Sequence, residues 1–481
     1  MTEFTMTINA TSTAGAGTFD VIDPATGEVF AQAPDCGTEQ LDAAMDAAAH
    51  AYRRWKLDDK ARRRALRDAA DVLDSGTERL ARLLTAEQGM PLSNARTEIG
   101  WATMWLRYYA DLEIPREIVQ DDQTGFAEVI RRPVGVVAAI VPWNLPIILA
   151  IWKIAPALLA GNTVVLKPSP FTPLATLAMG EMLRDIFPPG VLNVVSGQDP
   201  LGAWMTAHPT PRKISFTGSI ATGAKVAAAA ATDLKRVTLE LGGNDPAIVL
   251  EDADPGRVAD DIFTGAFMNN GQLCMAIKRV YVHERRHAEL VEALAARAHA
   301  ARVGSGFDEG VQLGPISNRP QFDRVSELVA DAIDHGAVAA AGGQPLDRPG
   351  YFFAPTILTG AADGTRIVDE EQFGPALPVI AYRDLDEAVD RANDTPYGLT
   401  ASVWTDDATR AADVASRLEC GQVTVNAHGN GLRPDLPFGG HKHSGIGVTN
   451  GPWGLHRFTE LQVLTGPARV AGTSQNARQA D

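Results

Sequence analysis

VGVVAAIV (134–141), TVVLK (163–167), VLNVV (191–195), KISFT (213–217) and RVTLE (236–240) are short β-prone runs, and the stretches between them, such as 172–187 and 220–232, carry helical spacing. Strands alternating with helices read as βαβ crossovers and a mainly parallel sheet. The alternation restarts with PAIVL (246–250), RVYVH (279–283), PVIAY (378–382), ASVW (401–404) and QVTVN (422–426), so a second α/β domain is the economical account. The boundary falls near Gly242-Gly243. Ahead of both, residues 41–109 are helical in pattern, with Leu66, Ala69, Ala70 and Leu73 at three- and four-residue spacing. The expected fold is α/β, two doubly wound domains. No short-period repeat points to a solenoid, and the last residues, VAGTSQNARQAD, read as a disordered tail.

Composition removes several function classes. At 481 residues the chain holds two or three domains of ordinary size. A net charge of −16, scattered rather than gathered in a tail, repels phosphate backbones and argues against a nucleic-acid partner. The apolar stretches near 134–161 are broken by Pro142, Asn144, Pro146, Lys153 and Pro156, short of the roughly 18 uninterrupted residues of a membrane helix. The opening MTEFTMTINATSTAGAG has no basic stretch before an apolar one, so a cytoplasmic protein is expected. Cys36, Cys274 and Cys420 are far apart, which excludes a disulfide framework and a cysteine-rich zinc site. No H-E-x-x-H occurs, and His441-x-His443 reads as a polar loop. No metal site is expected.

Individual residues carry weak signals. Cys274, in FMNNGQLCM, follows a helical run at 257–268 and the flexible Gly271-Gln272. It is either an exposed thiol on a tight turn or a small buried hydrophobe, and Cys36 and Cys420 read as the latter. Glu240 ends a strand, where a parallel sheet binds its ligands; it is a general base or the cap of a turn. Asn144, fixed between Pro142 and Pro146, is an oxyanion donor or an Asx turn. FTGSIATG (216–223) joins a strand to a helix, so its amides can receive a phosphate. It matches neither G-x-G-x-x-G nor the phosphate loop G-x-x-x-x-G-K-[ST].

Together, PWN (142–144), KPS (167–169), FTGS with Gly223, ELGG (240–243), GQLC (271–274), EEQFGPALPV (370–379), NDTPYGL (393–399), VN (425–426) and PFGGHKHSG (437–445) make the chain resemble the aldehyde dehydrogenase superfamily from about Phe19 to Leu464. The resemblance implies that Cys274 attacks an aldehyde, that Asn144 holds the oxyanion, and that Glu240 activates water to hydrolyse the resulting thioester. Lys153 is implied as a proton relay. Retention of Glu240 favours hydrolysis over acyl transfer to coenzyme A or phosphate. The cofactor positions implied are Pro142, Trp143, Lys167, Ser169, Pro170, Gly218, Ser219, Gly223, Leu241, Gly242, Glu371 and Phe373, and the substrate tunnel is Leu145, Leu149, Trp152, Leu273, Met275 and His428. Mostly apolar walls, with no arginine pair, imply an aliphatic or aromatic aldehyde.

The resemblance further implies a Rossmann-like cofactor domain (1–115 and 134–242), a catalytic domain (243–445), a small β oligomerisation arm (116–133 and 459–468) and a tail (469–481). A homodimer or homotetramer is expected. IVQDDQTGFAEVIRR reads as a hairpin turning at Thr124-Gly125. Two positions depart from the family pattern. Pro170 stands where a glutamate often takes the adenosine ribose hydroxyls, so NAD is expected with NADP possible. Val448-Thr449 replaces Arg-Glu, which interrupts a family proton path; an Arg236–Glu460 pair is an alternative link. The rival readings are a catalytically silent relative acting as a binding protein, and a cofactor-free thiol hydrolase.

Overall fold

The computed structural model describes residues 4–429 and 432–468; the expected tail at 469–481 lies outside the described residues. Five strands of the first alternation pair in parallel: Arg236–Glu240, Lys213–Thr217, Val136–Ile140, Thr163–Lys167 and Leu192–Val194, in that spatial order. In chain order this is the doubly wound arrangement 3-2-1-4-5. Its topological switch lies between Val136–Ile140 and Lys213–Thr217, and a crevice opens beyond the carboxyl ends of those strands. PWN follows one of these strands and Gly218-Ser219 the other. Three antiparallel strands extend this sheet: Gly445–Ile446 at one edge, Met6–Ile8 and Thr11–Thr13 at the other.

The second sheet runs Val338–Ala341, Thr356–Thr359, Ala376–Tyr382, Ile277–His283, Asp245–Val249, Thr400–Trp404, Gln422–Val425, parallel except for the first strand. Its two faces carry separate apolar cores, one with Ile248, Tyr281 and Val403, the other with Ala247, Val249 and Val280. Burial on both faces explains why inner strands such as those of PAIVL and PVIAY read as continuous apolar runs.

The helical region resolves into Thr38–Trp55, Asp59–Ser75, Thr77–Gln88 and Leu92–Asp111, whose apolar stripes join the core of the first sheet. Glu87 and Glu98, both buried, each accept two backbone N–H groups at the start of another helix: Leu174 and Ala175, and Ile147 and Ile148. Glu98 thereby anchors the helix Pro146–Leu159 that follows PWN.

A separate three-stranded sheet pairs Glu117–Asp122 with Gly125–Pro133 and the latter with Thr459–Gly466. Its hairpin turns at Gln123-Thr124, one residue before the expected Thr124-Gly125, because Asp122 pairs with Gly125 and its carboxylate accepts from the Thr124 amide and hydroxyl. The hairpin Gly17–Asp23 with Glu28–Asp35 had no sequence expectation. Among the described residues no helix is long and apolar enough to cross a membrane.

Candidate active site

Between the two large sheets lies a cleft of about 680 Å³. Its first wall comes from the switch point: Pro142, Trp143, Asn144, Leu149, Thr217–Ala221, Leu241 and Gly242. The opposite wall carries Cys274, Gln321, Arg324, Glu371, Phe373, Pro396, Tyr397 and His443.

The turn ahead of Cys274 is built from an unusual backbone. The helix Pro255–Phe267 ends, and Asn269, Asn270 and Gly271 follow with φ of 51°, 58° and 69°. Asparagine and glycine are the residues that tolerate this left-handed region. Their side chains lock it: Gln88 donates to Asn269 Oδ1 at 3.2 Å, Asn269 Nδ2 to Asn144 O at 3.1 Å, and Gln272 Nε2 to Asn269 O at 2.9 Å. Asn144 Nδ2 donates to Gln272 O at 2.9 Å. PWN and the cysteine turn are therefore tied in both directions. One Asn144 N–H is spent on that tether.

Cys274 is partly open to the cleft yet closely ringed by protein, and burial pushes its thiol up to about 12, with Lys278 pulling the other way and Glu240, Glu371 and Asp245 adding to the rise. Glu240 is buried behind the cleft wall, 3.4 Å from the Thr449 hydroxyl, with Oε2 unpartnered. Burial raises its carboxyl while the neighbouring Lys153 opposes the rise. Lys153, also buried, donates to Thr217 Oγ1 at 2.7 Å, and its ammonium is disfavoured by the same burial. Thr449 thus stands against Glu240 at the position of the expected interruption. Arg236 and Glu460 do meet, at 3.2 Å, but both side chains are exposed, which makes a weak surface pair.

The cofactor positions divide. Ser219 caps the helix Ile220–Thr232, its Oγ accepting from the Thr222 amide, so this helix start faces the cleft and can take a phosphate. Trp143 and Phe373 meet edge to face across the mouth, 5.2 Å between ring centres. Phe373 has φ of 49°, a strained value for an aromatic residue, held by Gln321 donating to its carbonyl. Glu371 accepts from the Gly243 amide at 3.0 Å, and burial raises its carboxyl. Lys167, Ser169, Pro170 and Gly223 lie outside the cleft lining. Lys167 is buried, donates to Pro168 O at 3.2 Å, and is lowered to about 8 by burial against the pull of Asp199, Asp35 and Cys36. Gly223 packs on Leu241, where a side chain would not fit.

Of the expected tunnel residues only Leu149 reaches this lining. Trp152 is in the core between Trp105 and Phe438, its indole N–H unpartnered. Leu145, Leu273 and Met275 pack into the apolar core around Cys274. His428 touches Met275 O at 2.7 Å and is lowered to about 4 by burial. His443, read as part of a polar loop, lines the cleft. Gln321 and Arg324 went unnoticed, since nothing in their local sequence marks them; Ile220 stood inside FTGSIATG, and Pro396 and Tyr397 inside the NDTPYGL match. Ser444 accepts from the Gly398 amide and donates to Gly242 O, so PFGGHKHSG clamps the two walls together.

Comparison with known proteins agrees with this geometry. The chain is 39% identical over 468 residues to a phenylacetaldehyde dehydrogenase of Pseudomonas fluorescens, covering 93% of this chain and 92% of that one. It is similar in structure to an NAD⁺ complex of an aldehyde dehydrogenase from Bacillus cereus (TM-score 0.95, 35% identity, 97% of each chain) and to an NADP-dependent enzyme of E. coli (TM-score 0.94, 35% identity, 97% and 98%). The aldehyde dehydrogenase family profile matches residues 11–464, so a thiol on a strained turn facing a tethered asparagine across a switch-point cleft belongs, with the whole chain, to the aldehyde dehydrogenase family.

Proposed function

We propose that this enzyme oxidises an uncharged aliphatic or aromatic aldehyde to the free acid through covalent intermediates on Cys274, with Glu240 as the base. The carrying observation is the tether from Asn144 Nδ2 to Gln272 O, two residues from the nucleophile, with Asn144 and Cys274 lining the same cleft. Glu240 removes the thiol proton after rotating from its place between Lys153 and Thr449, and the thiolate adds to the carbonyl carbon. Asn144 and the Cys274 amide hold the resulting alkoxide. A nicotinamide, when bound, supplies the acceptor for the hydride that this alkoxide expels. Once Glu240 has passed the thiol proton on to solvent, the thioester left on Cys274 takes up water, whose proton goes to Glu240; the thiolate leaves and the acid departs.

The residues fit such a cofactor. The Ser219 helix start offers amides to a pyrophosphate, and Glu371 and Phe373 border the inner cleft. NAD is the proposed partner. NADP is accepted as well, because Pro170 offers no carboxylate to exclude a 2′-phosphate. Asp35 and Asp199, which act on Lys167, weigh against that phosphate and keep the preference with NAD. The three-stranded sheet is proposed as the contact of a homodimer or homotetramer, since Ile118, Val119, Leu461 and Val463 on it are 57–65% exposed and apolar. An aldehyde panel run with NAD and with NADP tests the reading: reduced nicotinamide must form, and must vanish in Cys274→Ala. Formation at the parent rate in that variant ends the proposal.

A further inference from the structure

Lys278 stands on the strand Ile277–His283, four residues beyond the nucleophile, and is buried. Its ammonium donates to Leu273 O at 2.7 Å, reaches Ala276 O at 3.3 Å and Cys274 O at 3.4 Å, and lies 3.9 Å from Glu371 Oε1. It also sits 5.7 Å from the centre of the Phe373 ring. Burying an ammonium is costly unless its donors are matched. Here the carbonyls of one tight turn match them, so the turn and the ammonium fix each other.

The charges around the thiol are lopsided. Glu240 faces it from the end of Arg236–Glu240, Glu371 from the loop before Ala376–Tyr382, and Asp245 from the start of Asp245–Val249; all three oppose a thiolate. Among the described charges around the thiol, Lys278 favours it. The same ammonium acts on Asp245 and on His428, and Arg324 acts on Glu371 from the far side. A nucleophile among three carboxylates needs a cation, and the fold supplies it on the residue that also shapes the turn.

We infer that Lys278 is a positioning residue for Cys274, holding the Leu273–Ala276 turn and carrying the charge that lets the thiolate form. The inference rests on Cys274 being the nucleophile, but its test needs no aldehyde. The full-length chain is labelled with iodoacetamide across a pH series; the thiolate displaces iodide, and peptide mass spectrometry separates Cys274 from Cys36 and Cys420. In Lys278→Met the labelling midpoint moves about one pH unit to the alkaline side, and labelling near neutrality slows about tenfold. Lys278→Arg restores the parent profile to within about twofold, and NAD binding and thermal melts report folding. Superimposable profiles for parent and Lys278→Met overturn the inference, as does Lys278→Arg behaving like Lys278→Met. If Lys278→Met does not fold, Lys278→Gln, which keeps a donor for Leu273 O, takes its place. If neither folds, Lys278→Arg decides: a profile within about twofold of the parent supports the inference, and one displaced by about a pH unit overturns it. A shifted profile in a chain that oxidises no aldehyde would sink the catalytic reading and leave this one standing.

Discussion

Gly242 and Gly243 are neighbours with opposite sensitivities, and the contrast tests the placement of Glu371. A Cβ on Gly242 would sit 2.2 Å from Glu371 Oε2 and 3.0 Å from its Cδ. The obstacle is the end of a flexible side chain, so the carboxylate retreats by about 1 Å, beyond reach of the Gly243 amide it now meets at 3.0 Å. That hydrogen bond to a charged acceptor is worth roughly 1.5–3 kcal/mol. The stiffer unfolded chain returns about 0.4–1 kcal/mol. Gly242→Ala therefore folds, less stable by about 1–2 kcal/mol. A 1 Å displacement of a group that orients reactants costs on the order of 10²-fold in rate. In single turnover, followed by the absorbance of reduced nicotinamide, the first step should slow by that factor while NAD affinity stays within a few-fold. On Gly243 the Cβ would meet Cys274 O at 2.5 Å, Asp245 Oδ1 at 2.8 Å and Leu399 Cβ at 3.0 Å. Backbone cannot swing aside, and overpacking of this kind costs about 1–3 kcal/mol or more. Gly243→Ala is thus a folding variant first. An undiminished first step in Gly242→Ala, or equal stability of the two variants, would refute the reasoning.

Asn144→Ala removes both the oxyanion donor and the tether to Gln272; rapid-mixing kinetics should show the first turnover slowed on the order of 10²–10³-fold with NAD affinity retained. Because burial raises the Glu240 carboxyl, its basic form grows as pH rises through neutrality, so steady-state hydrolysis should climb with pH in the parent. Glu240→Gln should flatten that limb and let acyl-enzyme accumulate, as intact-protein mass spectrometry would reveal. Leu461→Lys with Val463→Lys, on the exposed face of the third sheet, should lower the assembly by at least one step in sedimentation without unfolding the subunit. An unchanged sedimentation coefficient would move the subunit contact elsewhere.

How much of this was legible follows from where the physics is local. The strands of both alternations lie within a residue or two of their sequence positions, because each is a short β-prone run closed by a turn. Edge strands failed the same reading: Thr11–Thr13, Val338–Ala341 and Gly445–Ile446 are too short to show a period, and pairing with a preformed sheet makes them. Cys274, Glu240 and Asn144 were visible as residues ending or preceding elements, and the NNG turn is a local signal. Gln321, Arg324 and Lys278 were not, since their relation to the cleft arises from helix and strand placement in the second domain.

One signal was on the page and unread. KISFT and RVTLE alternate polar with apolar residues, although an enclosed parallel strand normally reads as continuously apolar. The register sets Thr217 beside Glu240, Ser215 beside Thr238 and Lys213 beside Arg236. Lys213, buried, donates to Thr238 Oγ1 at 2.7 Å, Lys153 to Thr217 Oγ1 at the same distance, and Ser215 Oγ has no partner. Apart from Arg236, which is exposed, a polar row is therefore buried along the strand that ends in Glu240, and burying it is unfavourable unless its members pair. Alternation where a parallel sheet should be uniformly apolar marks that row in sequence before any motif does, and it points along the strand to Glu240.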